Sequence, residues 1–184
     1  MKLIVGLGNP GSAYAKHRHN LGYQALHCLS EQCDIGLKKE ENAFVGKGII
    51  ENEEVLLVKP TTWMNLSGEA VGAIARYYKI AAGDVVVIHD DIDLNLGTLR
   101  WTSSSGHGGH NGVRSIIEHL GTQDFCRLRL GVGRPPQGMN PADYVLQPFA
   151  VEEKNAVTDL NVQAVDSIKE FLRHGLQWVC QKYN

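Results

Sequence analysis

Lys2-Leu3-Ile4-Val5-Gly6-Leu7-Gly8-Asn9-Pro10-Gly11 is the stretch on which the fold turns. Lys2–Val5 reads as a short buried strand that stops at Gly6. The loop after it is rich in glycine, which suits a tight turn using positive φ. Beyond the loop, Leu21, Ala25 and Leu29 recur at helical spacing, so Asn20 to about Cys33 reads as a helix. Strand, glycine-rich loop and helix, in that order, open an α/β layer fold.

The rest of the chain keeps the alternation. Ala43–Pro60 reads as a hairpin: Phe44–Ile50, a polar turn at Glu51–Glu53, then Val55–Val58. Val71, Ile74, Ala75 and Tyr78 make a second helical stripe, with Ser67 as its expected N-cap. Val85–Ile88 is a β-branched run, hence a buried central strand. Val113, Ile116, Ile117 and Leu120 mark a third helix, with Asn111 as expected N-cap and Gly121 just past its end. Arg127–Val132 alternates charged and apolar, as a half-buried strand does. Val157, Leu160, Ala164, Ile168 and Phe171 mark a helix in a C-terminal segment from about residue 151. The expectation is one α/β domain over residues 1–184, with a twisted mixed, largely parallel sheet and helices on both faces.

Composition narrows the class. A hydrophobic fraction of 43% and a charged fraction of 21% suit a soluble globular chain. No stretch is long and apolar enough to cross a bilayer, and no export signal opens the chain. Cys28, Cys33, Cys126 and Cys180 form no C-x-x-C pair, so a zinc or redox motif is not expected. Scattered thiols suggest a reducing cytoplasm. The net charge of -2 gives no bulk sign of nucleic acid, so any RNA contact has to come from a local basic patch.

In such folds ligands gather outside the carboxyl ends of the strands. That rule selects the loops Gly6–Gly11, Pro60–Asn65, His89–Asp93 and Gly106–Asn111. The first matches G-x-G-x-x-G, but Ser12–Asn20 is polar, with Lys16, His17, Arg18 and His19, where a dinucleotide-binding helix would be apolar. A plain turn does not account for Asn9, whose amide can both donate and accept. His19 closes that loop just before the helix, where a neutral imidazole can take a proton from water near pH 7. Arg18 is either a structural anchor or a phosphate contact. Trp63 and Met64 suit a core, and Asn65 suits a cap. Of the carboxylates at Asp90, Asp91 and Asp93, one can orient a histidine and stabilise its imidazolium. His107 and His110 lie in a glycine-rich loop that ends at a helix start, so they lack the helical spacing of a metal pair.

Together these motifs resemble the bacterial peptidyl-tRNA hydrolase family. The carriers are Lys2–Gly11, Tyr14 with Arg18-His19-Asn20, Pro60–Gly68, His89-Asp90 and Gly106–Gly112, in order from Lys2 to about Pro148. The tail beyond Pro148 is only weakly similar. The resemblance implies metal-free, cofactor-free hydrolysis of the ester linking peptide to tRNA. It implies His19 as general base and Asp90 as the carboxylate that holds it. It implies Asn9, Asn65 and Asn111 as positioning amides, which takes Asn65 out of the capping role, and Tyr14 with Trp63 as an aromatic pair shaping the site. Peptidyl-tRNA is then the partner, with no membrane and no obligate protein partner, in a monomeric cytoplasmic enzyme.

One departure stands out. Family members often carry two lysines where this chain has Arg100 and Thr102. Arg100 can hold a phosphate, whereas Thr102 cannot, so the tRNA contacts fall to Arg18, Arg100, Arg129 and Arg134. A non-catalytic RNA-binding relative would not need His19 and Asp90 together. A metal-dependent hydrolase would have to use His107, His110 and the Asp90–Asp93 cluster.

Overall fold

A computed structural model describes residues 1–184. Seven strands form one sheet: β1 Lys2–Gly6, β2 Lys38–Lys39, β3 Ala43–Ile50, β4 Glu53–Pro60, β5 Val85–Asp91, β6 Leu99–Ser103 and β7 Cys126–Gly131. Their order is β2-β3-β4-β1-β5-β7-β6. β1 pairs parallel with β4 and β5, and β5 pairs parallel with β7. β2–β3, β3–β4 and β6–β7 are antiparallel. The expected mixed sheet with a parallel centre is therefore present.

The pleat sends alternate side chains into two cores. Ile4, Val86, Ile88 and Leu128 belong to one, packed with α1 (Leu21–Gln32) and α5 (Lys154–His174). Leu3, Val5, Val85 and Val87 belong to the other, packed with α2 (Ser67–Tyr77) and α3 (Asn111–Leu120). Helices thus cover both faces. A short α4 (Pro141–Val145) follows β7, and α6 (Leu176–Tyr183) ends the chain against β6.

Several local expectations change. Gly6 and Gly8 are not positive-φ positions; only Gly11 of that loop is, at φ 100. A Cβ on Gly6 would lie 2.4 Å from the Gly22 carbonyl oxygen, so this glycine lets β1 and α1 touch. Ser67 is the first helical residue of α2 rather than its cap, and its hydroxyl donates back to the Met64 carbonyl. Asn111 likewise begins α3, and the cap is His110. Arg127–Val132 sits in a buried interior strand, β7, with Arg127 itself 2% exposed. β6 and α6 were not legible, because their apolar residues are too few or too irregularly spaced to set a period.

The connections bring the four selected loops together. β1, β4 and β5 lie side by side, so their carboxyl ends open on one edge. The loop 104–110, leading from β6 into α3, closes over the same edge.

Candidate active site

That edge holds a cleft of about 760 Å³. Asn9, His19, Trp63, Asn65, Asp90 and Asn111 line it. The loops that follow three different strands therefore meet around one space.

Asp90 is the pivot. It is the penultimate residue of β5, is 3% exposed, and receives a histidine from each side of the sheet. His19 Nδ1 lies 3.0 and 2.9 Å from its two oxygens. His110 Nε2 lies 2.9 Å from Oδ1. Burial alone would raise the Asp90 pKa, but the charges and hydrogen bonds of His19 and His110 hold it far below the usual carboxylate range. An ionised carboxylate only accepts, so both imidazoles donate to it. His19 is then protonated at Nδ1 and, when neutral, keeps a lone pair at Nε2. Burial lowers the pKa of His19, while the charge and hydrogen bond of Asp90 outweigh burial and leave it above the ordinary value.

His110 was missed as a member of this site. Its Nδ1 accepts from the amides of Gly112 and Val113, at 3.1 and 3.3 Å, and so caps α3. That fixes the proton on Nε2, pointing at Asp90. The sequence signal was present: a histidine at the loop end, one residue before the helix. The structure thus splits His107 from His110, since the His107 ring only accepts from the Gly109 amide in its own exposed turn. Behind His110, the buried His89 stacks edge-on at 4.8 Å and donates to the Asp90 carbonyl. Burial, then the charge of His110, pushes the His89 pKa well down, so this ring stays neutral.

The cluster His19, Asp90 and His110 is the one set here with metal-ligand character, its donor atoms lying within 4.8 Å of one another. The hydrogen bonds oppose such a use. Two amides aim at His110 Nδ1, so Nε2 can offer no lone pair unless the ring loses its proton or the cap breaks.

Asn9 is held rigidly. Its backbone amide and carbonyl pair with the side chain of Asn20, both at 2.9 Å, and its Oδ1 accepts from the Met64 amide at 2.8 Å. The side-chain amine of Asn9 remains free on the cleft wall. Asn20 is a second missed residue, read only as the start of a helix. Asn65 sits in a 3-10 turn, Asn111 begins α3, and both side chains line the cleft unbound. Trp63 and Met64 part company: Met64 is 4% exposed and Trp63 51%. Tyr14 lies edge-on to Trp63 at 5.6 Å, so the expected aromatic pair does meet.

The four arginines do not form one set. Arg18 is buried, donates to the carbonyls of Gln147 and Pro148, and pairs with Glu153 at 2.6 Å. Its guanidinium also lies 4.5 Å from the Tyr144 ring. It is the structural anchor of the 144–153 segment, which corrects its reading as a phosphate contact. Arg134 does not itself line the cleft; it is exposed and paired with Asp93, which does. Arg100 is exposed and unpaired on β6, directly across from Arg129 on β7. Arg129 lines the cleft. Arg127, not singled out from sequence, also lines it and grips Ser105 and Gly106 at the root of the 104–110 loop.

The family model described as peptidyl-tRNA hydrolase matches residues 3–184, so the match runs on through the tail. The peptidyl-tRNA hydrolase of Exiguobacterium sibiricum is 47% identical, with 100% of both chains covered. That of Brevibacillus brevis is 44% identical, covering 100% of this chain and 98% of the relative. The crystal structure of peptidyl-tRNA hydrolase from Acinetobacter baumannii superposes with a TM-score of 0.94 at 35% identity, covering 100% of this chain and 94% of that one.

Proposed function

The chain belongs to the peptidyl-tRNA hydrolase family, and from that premise we propose that it hydrolyses the peptide–tRNA ester with His19 as general base and without a metal. The observation that carries this reading is the hydrogen-bond direction around Asp90. The carboxylate accepts a hydrogen bond from Nδ1–H of His19, which keeps the proton on Nδ1 and leaves the Nε2 lone pair to receive a proton from water. Asp90 also stabilises the imidazolium that forms, as the carboxylate of a triad does. A positioned base contributes typically 10²–10⁴-fold.

The three asparagines supply the remaining polar work. The free amine of Asn9 and the side chains of Asn65 and Asn111 face the cleft and bond to substrate main chain, so peptides of varied sequence fit. A side-chain donor at a developing oxyanion adds on the order of 10²–10³. Tyr14 and Trp63 border this region, and Arg100 and Arg129 meet the tRNA phosphates. The reading is of a monomeric enzyme. Peptidyl-tRNA places the work in the cytoplasm, where the four free cysteines are at home.

The test is hydrolysis of an N-acetylaminoacyl-tRNA by purified protein in excess EDTA. Full activity is expected. Loss of activity that Zn²⁺ or Mg²⁺ restores would replace the general-base reading with a metal one.

A further inference from the structure

Asp90 has a neighbour of the same chemistry with a different partner. The pleat of β5 turns Asp91 away from the histidines, and its Oδ2 accepts from Arg129 Nε at 2.6 Å. Asp91 is fixed in turn, because its Oδ1 accepts from the Asp93 amide at 2.7 Å. Both residues line the cleft.

The mode of contact matters. A carboxylate that competes for a guanidinium takes its paired N–H groups as a fork. Asp91 takes only Nε, the one N–H nearest the stem. Neither η-nitrogen of Arg129 has a protein acceptor, and the side chain is only 25% exposed. The contrast is Arg134, where Asp93 occupies an η-nitrogen and the side chain is 75% exposed. Charge at this place is not cancelled either. Arg100 lies across from Arg129 in register, and Arg127 is two residues along the same strand. Of these three arginines, only Arg129 has a carboxylate partner.

We infer that Asp91 is a positioning residue for substrate binding: it holds Arg129 by the stem and presents the η-fork to a phosphodiester of the tRNA acceptor strand. This rests on reading Arg129 as a phosphate contact. A free arginine loses rotamer entropy when it grips a phosphate, so an orientation fixed beforehand improves binding without a new contact. Because Asp90 and Asp91 are consecutive, the strand also sets the distance between the base and the phosphate grip. A phosphate held by Arg129 is thereby registered against the ester.

The experiment is steady-state hydrolysis of an N-acetylaminoacyl-tRNA by the full chain and by Asp91→Ala, Asp91→Asn, Arg129→Ala and the Asp91→Ala/Arg129→Ala double variant. Asp91→Ala is expected to raise KM about three- to tenfold, the scale of one rotamer-rich side chain set loose, with kcat falling less than KM rises. Asp91→Asn keeps an oxygen for Nε and should recover most of the loss. In the Arg129→Ala background, Asp91→Ala should add little. A lower KM in Asp91→Ala would show a carboxylate that competes with phosphate and overturn the inference. An undiminished effect of Asp91→Ala without Arg129 would overturn it too. If Arg129→Ala itself leaves KM unchanged, the phosphate reading of Arg129 fails first, and the inference with it.

Discussion

His110 Nε2 lies 2.9 Å from Asp90 Oδ1, while the other ring nitrogen of His110 caps α3. One imidazole thus ties a helix start to the carboxylate that holds His19. His110→Ala should lower kcat at least tenfold, the scale seen when the partner of a site ligand is removed. It should also cost about 1 kcal/mol of stability through the lost cap. Steady-state kinetics and urea unfolding check the pair of effects. A stability loss with unchanged kcat would reduce His110 to a cap.

His19→Ala should lower kcat by 10² or more in a folded protein, the loss expected for a general base. Its side chain makes no backbone bond, so the thermal transition should stay close to wild type. Wild-type-like kcat in the folded variant would remove His19 from the mechanism.

The pH profile carries a sign. His19 must be neutral to accept a proton, and Asp90 raises its pKa against the pull of burial. Activity should therefore be lost on acidification through a midpoint above the ordinary value of about 6.5. Asp90→Asn removes the raising charge and keeps the burial, so its acid midpoint should move below the wild-type one. Its kcat should fall more than that of Asp91→Asn, which acts on KM. A kcat/KM profile for the three proteins decides, and equal losses in kcat would mean that the wrong carboxylate has been assigned.

The arginines should separate by experiment as they do in space. Each phosphate contact contributes about -0.7 to the slope of log K against log salt on single-stranded RNA. Arg100 and Arg129 together then give a slope of about -1.4. Arg100→Ala should raise KM and flatten that slope by one contact, with kcat nearly unchanged. Arg18→Ala should leave the slope alone and destabilise the fold by roughly 2–3 kcal/mol, since Glu153 and two carbonyls lose a buried partner. A slope unchanged in Arg100→Ala would place the phosphate contacts elsewhere.

Much of this was legible along the chain. Apolar period and β-branched runs determined β1, the β3–β4 hairpin, β5 and the long helices, because burial on a regular element leaves a regular trace. His19 and Asn9 were legible as candidates from their place between β1 and α1, and Asp90 as one of three carboxylates at the end of a buried strand, whereas Asn65 and Asn111 read as helix caps and became candidates only through the family resemblance. What the sequence could not determine was pairing. Arg18 and Arg129 are the same residue type near the same edge, yet one is locked under the 144–153 segment and the other is held by its stem beside the cleft. His107 and His110 share a loop, yet only His110 reaches Asp90, 20 residues away. Periodicity reports which face of an element is buried. Which donor meets which acceptor is decided by strand order and by where helices begin, and those are properties of the folded chain alone.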